Sequence, residues 1–117
     1  MIEERRKRTR VPVGFDLTVG VQGMEIKVQT VNLSLTGVSF VSDHLFSVQE
    51  PCEIHLNLHQ DVNLIIEGKV LRASEKETIV SFLSMDEESF YHLKRLMQFN
   101  APDPDQIDRE INDPAFS

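Results

Sequence analysis

Pro51-Cys52-Glu53-Ile54-His55-Leu56-Asn57-Leu58 alternates apolar and polar side chains from Cys52 onward. Successive residues of a strand face opposite sides, so Cys52, Ile54, Leu56 and Leu58 share one face and Glu53, His55 and Asn57 the other. Such a run is a half-buried strand of an antiparallel sheet. The same period extends outward from it. Phe15, Leu17, Val19 and Val21 alternate with Asp16, Thr18 and Gly20. Gln22-Gly23 marks a tight reversal, and Glu25 to Gln29 alternates again, which predicts a hairpin. Gly37 to Val41 is a short strand with Val38 and Phe40 on one face. Val62 to Arg72 places Leu64, Ile66 and Val70 together, and Gly68 interrupts that face at an expected bulge or bend. Ser74 to Glu77 is a polar turn, followed by a sixth strand from Thr78 to Leu83.

The period then changes to that of a helix. Asp86 suits an N-cap, and Glu87 and Glu88 sit at the favourable end of the helix dipole. Phe90, Leu93, Leu96 and Met97 fall on one face, and Pro102 and Pro104 limit the helix to about Asn100. Six short strands followed by one helix predict an all-β domain with a C-terminal helix: a six-stranded antiparallel β-barrel, because closure removes sheet edges. The expected organisation is a flexible basic arm over 1–10, the barrel and helix over 11–100, and an acidic tail over 101–117 that is a short helix or disordered. In that tail Ile107 and Ile111 suit one short amphipathic helix.

The 117 residues suffice for a single domain, and the formal net charge is −7. No run approaches the ~18 apolar residues of a membrane span. The single Cys52 has no disulfide partner in the chain, and residues 1–10 have charge without the apolar core of a secretory signal. A cytoplasmic protein is therefore expected. The charge is unevenly spread. Arg5, Arg6, Lys7, Arg8 and Arg10 supply five of the 12 basic residues, while residues 11–84 hold four bases against nine acids. An acidic body disfavours general attachment to nucleic acid, and one cationic segment remains to be explained.

Its counterpart is Asn32-Leu33-Ser34-Leu35-Thr36-Gly37. The open end of the first hairpin brings residue 10 back towards residue 32, so the basic arm and this polar loop share one end of the barrel. Arg pairs bidentately with phosphate or with the O6/N7 edge of guanine. Asn32 offers an amide to a base edge, and Ser34 a hydroxyl to a phosphate or base. Gly37 permits close approach of a backbone. Together these groups suit a guanine nucleotide. The other candidates are weaker. His55 and His59 are about 13 Å apart along a strand, too far to share one metal ion. Cys52 is in phase with the apolar face, which fits a buried thiol. No nucleophile–base pattern or carboxylate pair stands out, so no enzyme, cofactor or metal site is expected.

Arg6-x-x-x-Arg10, followed 22 positions after Arg10 by Asn32-x-Ser34-x-x-Gly37, resembles the two-part signature of PilZ domains, bacterial receptors for cyclic di-GMP. The resemblance runs over about residues 4–100. It implies a PilZ-like split barrel and a non-catalytic receptor that passes a ligand-induced change to a partner protein. It also implies that Arg6 and Arg10 contact guanine and phosphate, that Asn32 holds the base edge, and that Ser34 and Gly37 complete the loop. A basic residue at Arg5 is associated in the family with two mutually stacked ligand molecules. Ile79 stands where the family frequently has Gly. Two other readings compete: a PilZ-like interaction module without ligand, and a small barrel that binds RNA or single strands. The second would want exposed aromatic residues on its strands, whereas the Phe residues here mostly fall on apolar faces.

Overall fold

A computed structural model describes residues 11–12, 16–59, 62–101 and 103–111. Seven strands and two helices follow in chain order: β1 (Val11–Pro12), β2 (Asp16–Val21), β3 (Met24–Leu33), β4 (Gly37–Val41), β5 (Pro51–His59), β6 (Val62–Ala73), β7 (Thr78–Ser84), α1 (Glu87–Asn100) and α2 (Pro104–Ile111). The strands run antiparallel in the order β1-β3-β2-β5-β6-β7-β4, and β4 pairs back onto β3. Strands β2 to β7 thus form the closed six-stranded barrel that the alternation predicts. The two-residue β1 is an addition, laid along the outer edge of β3.

Closure works because each strand turns one apolar face inward. Val19, Ile54 and Ile66 align across β2, β5 and β6, and Leu17, Leu56 and Leu64 form the next row. Leu33, Val38, Val80 and Val70 form another across β3, β4, β7 and β6. These side chains are all buried. Full burial of each such side chain contributes roughly 1.5–3 kcal/mol, which makes the barrel interior the main source of stability. The reversal at Gln22-Gly23 has positive φ at both residues, 53° and 79°, the geometry that matches the right-handed twist of a two-residue hairpin. The register slips between Glu67 and Gly68, where the sequence predicts a bulge, and again between Val70 and Arg72.

Helix α1 begins where Asp86 caps it: a side-chain oxygen accepts from the Ser89 N–H at 2.7 Å. Hydrogen bonding from Ser89, chiefly from its backbone N–H and then from its side chain, holds the Asp86 carboxyl below its usual range. Leu93 and Met97 are buried with Phe90 and Leu96 partly so, and the helix packs against β6. The segment expected to be a short helix or disordered contains α2, whose Ile107 is completely buried in the common core. Asp108 reaches Lys94 of α1 at 3.4 Å, and Asp103 reaches Arg109 at 2.9 Å. No helix among the described residues is long and apolar enough to cross a membrane.

Candidate ligand-binding site

The β3–β4 connection is shaped by its own side chains. Leu33 and Leu35 are buried and anchor it to the core. Between them the Ser34 N–H donates to the Gly37 carbonyl at 2.9 Å. The Ser34 hydroxyl accepts from the N–H groups of Thr36 and Gly37 at 3.2 and 3.1 Å, and lies 3.3 Å from the Gly37 carbonyl. Ser34 is itself buried, so the hydroxyl expected to face a ligand is engaged in closing its own turn. The Phe82 N–H donates to the Thr36 carbonyl at 2.9 Å and ties the turn to β7. Gly37 lies so close to β7 that a Cβ there would stand 2.7 Å from the Val80 carbonyl oxygen. The loop needs glycine at this position to pack against β7.

Asn32 reaches the outer surface by a slip in β3. Thr30 pairs with Phe40 and Asn32 with Ser39, so Val31 is an extra residue at a bulge. Before it, Ile26, Val28 and Thr30 turn inward; after it, Leu33 turns inward and Asn32 outward. An uninterrupted strand would put Asn32 in the core and Leu33 in solvent. The change of phase, from even-numbered apolar residues to odd-numbered ones, is visible in the sequence and was the sign of this bulge.

Arg5, Arg6 and Arg10 lie outside the described residues. The register nonetheless fixes where the arm joins the barrel, because Val11 pairs with Leu33 and Pro12 with Asn32. The residue following Arg10 in the chain is therefore on the strand next to Asn32. Direct pairing continues in the other direction: Asn32 with Ser39, Ser39 with Ile79 and Ile79 with Arg72. Residues paired across a sheet face the same side, so the row from Asn32 to Arg72 crosses the outer surface from β3 to β6.

A cleft of about 210 Å³ lies along the row, with Asn32, Gly37, Ser39, Leu71, Glu77 and Ile79 among its walls. Ser39 is only 8% exposed, and its hydroxyl has no hydrogen-bond partner among the described residues. Leaving such a group unsatisfied costs about 1–3 kcal/mol. Asn32 and Ile79 are half-buried and Leu71 is exposed, giving one polar and one apolar end. Cys52 lies elsewhere, on the inward face of β5; burial, with a smaller push from the Glu50 carboxylate, raises the pKa of its thiol to about 11. Among the described residues no three His, Cys, Asp or Glu side chains are grouped to hold a metal ion.

With the barrel and this loop in place, the comparisons are direct. The family model described as PilZ domain matches residues 4–99, and the chain belongs to that family. Three solved structures share the fold. The PilZ domain of YcgR from Escherichia coli with c-di-GMP superposes with a TM-score of 0.69 at 13% identity, over 95% of this chain and 99% of that one. The inhibitor of motility from Bacillus subtilis, MotI/DgrA, gives 0.66 at 23% identity, over 92% of this chain and 52% of its own, so this chain spans about half of that protein. The PilZ domain of CeSA from a cellulose-synthesizing bacterium gives 0.61 at 20% identity, over 75% of this chain and 93% of that one. No protein of curated function matches the chain.

Proposed function

We propose that this PilZ domain is a non-catalytic, cytoplasmic receptor for cyclic di-GMP in a bacterium. The observation that carries the reading is the pairing of Pro12 with Asn32, which joins the end of the basic arm to the wall of the cleft. Five of the 12 bases fall within residues 5–10 of an otherwise acidic chain. A dianionic dinucleotide is small enough to meet that arm without covering the acidic surface. Arg6 and Arg10 bind guanine and phosphate through paired, charge-assisted hydrogen bonds. Asn32 holds a base edge. Ser34 and Gly37 act through the backbone, by fixing the turn against β7. Arg5 extends the cation to a second ligand stacked on the first. Neutralising the arm and drawing it over the cleft changes the surface that a partner protein reads.

Calorimetric titration with cyclic di-GMP, with GTP as the control, tests this reading. We expect saturable binding at close to two ligands per chain; a stoichiometry of one removes the role given to Arg5. Arg6→Ala and Arg10→Ala should each weaken binding by well over about 1 kcal/mol. Normal binding by the Arg10 variant, or no heat at high micromolar ligand with the unaltered chain, contradicts the assignment.

A further inference from the structure

We propose that the ligand surface continues past the β3–β4 loop, over Ser39 on β4 and Ile79 on β7, to a second cationic wall formed by Arg72 on β6. The inference rests on the receptor reading above and extends it to residues outside the family signature. Three observations carry it.

The register is the first. Asn32, Ser39, Ile79 and Arg72 are directly paired across four neighbouring strands, so they share the outer face. Neighbouring strands are about 4.8 Å apart, which places Arg72 roughly 14 Å from Asn32 along the sheet. The slip between Val70 and Arg72 sets both Leu71 and Arg72 against Ile79, and both are exposed. An apolar ledge and a guanidinium are thus presented together at the far end of the cleft.

Charge is the second. The acidic body over residues 11–84 has only four bases, and Lys69 and Arg72 are two of them, both on β6. Lys69 pairs with Ser81, which pairs with Gly37 of the loop. Neither Lys69 nor Arg72 has an ion-pair partner among the described residues. An Arg left unpaired beside a cleft is available for phosphate or for the face of a base.

The third is the floor between the two ends. The Ser39 hydroxyl is buried without a partner among the described residues, and Ser39 lines the cleft. A ligand crossing the row satisfies it. The cleft of about 210 Å³ is smaller than the roughly 300–1,000 Å³ of a typical ligand site. The cleft alone therefore takes only part of a dinucleotide, and the rest lies on the surface around it, where Arg72 stands next to the lining residue Leu71.

The experiment is calorimetry with cyclic di-GMP on the full chain and on Arg72→Ala, Lys76→Ala and Ser39→Ala. Lys76 is exposed in the β6–β7 turn, off the row, and its variant removes the same charge. Arg72→Ala should weaken binding by about tenfold to a hundredfold, the range of a hydrogen bond to a charged group. Lys76→Ala should change it by less than about threefold, as for an exposed charge that does not line the cleft. Ser39→Ala should weaken binding while the free chain melts at the same or a higher temperature, because the unsatisfied hydroxyl is gone. Equal effects from Arg72→Ala and Lys76→Ala reduce Arg72 to general attraction and overturn the proposal. Unchanged binding by Ser39→Ala removes the path across β4 and overturns it as well. If the unaltered chain fails to bind, the receptor reading falls and this one with it; if it binds and only the variants disagree, this one falls alone.

Discussion

Gly37 illustrates how a single residue supports both the fold and the site. Its missing side chain lets β4 and β7 meet beside the loop, since a Cβ would stand 2.7 Å from the Val80 carbonyl oxygen. Backbone cannot rotate away as a flexible side chain can. Gly37→Ala should therefore lower unfolding stability by roughly 1–3 kcal/mol, the usual cost of overpacking. It should also weaken ligand binding, because the displaced turn holds Asn32 and Ser34. Urea denaturation and the titration above measure the two effects on one variant. A stable variant with weak binding would mean that Gly37 meets the ligand and not the fold. Ser34 makes the complementary point. Its type and position were legible in the sequence, but its hydroxyl turned out to close the loop, since hydrogen-bond partners are set by the fold.

Among the elements, legibility followed locality. Strands β2 to β7 and helix α1 could be read because their signals are periodic and self-contained: alternation for the strands, a cap and a 3.6 period for the helix. Strand β1 escaped because two residues have no period, and a Pro on an edge gives no ladder donor to betray it. Arg72 escaped for a different reason. Its relation to Asn32 passes through three strand registers, and no spacing along the chain encodes it. Helix α2 was half legible, as Ile107 and Ile111 suggested an amphipathic face whose destination was unknown. It is the core, where Ile107 is completely buried. Ile107→Ala should cost about 2–5 kcal/mol in unfolding stability, against less than about 0.5 kcal/mol for a solvated tail. Chemical denaturation separates those outcomes.

Taken as a whole, the molecule couples an acidic body to one basic segment, and its stability at alkaline pH carries a mark of the interior. The Cys52 thiol moves from an ordinary 9.0 to about 11, chiefly through burial. The folded chain keeps this proton where the unfolded chain has lost it. Its contribution is fully present below about pH 9 and is lost as the pH rises towards 11. The difference in urea midpoint between the chain and Cys52→Ala, followed from pH 7 to 11, should shift against the unaltered chain across that window. A constant difference would place Cys52 nearer solvent than its burial implies.

The extra residue in β3 has a consequence for how this surface can change. Val31 matters less for what it is than for being one more. Any similar side chain preserves the count, so replacing residues one at a time leaves the phase of the strand untouched. Loss of a single codon there reverses it, sending Asn32 inside and Leu33 out. In this barrel the face that Asn32 presents is written in the length of a strand, and a change of reading distance alters it with every remaining residue intact.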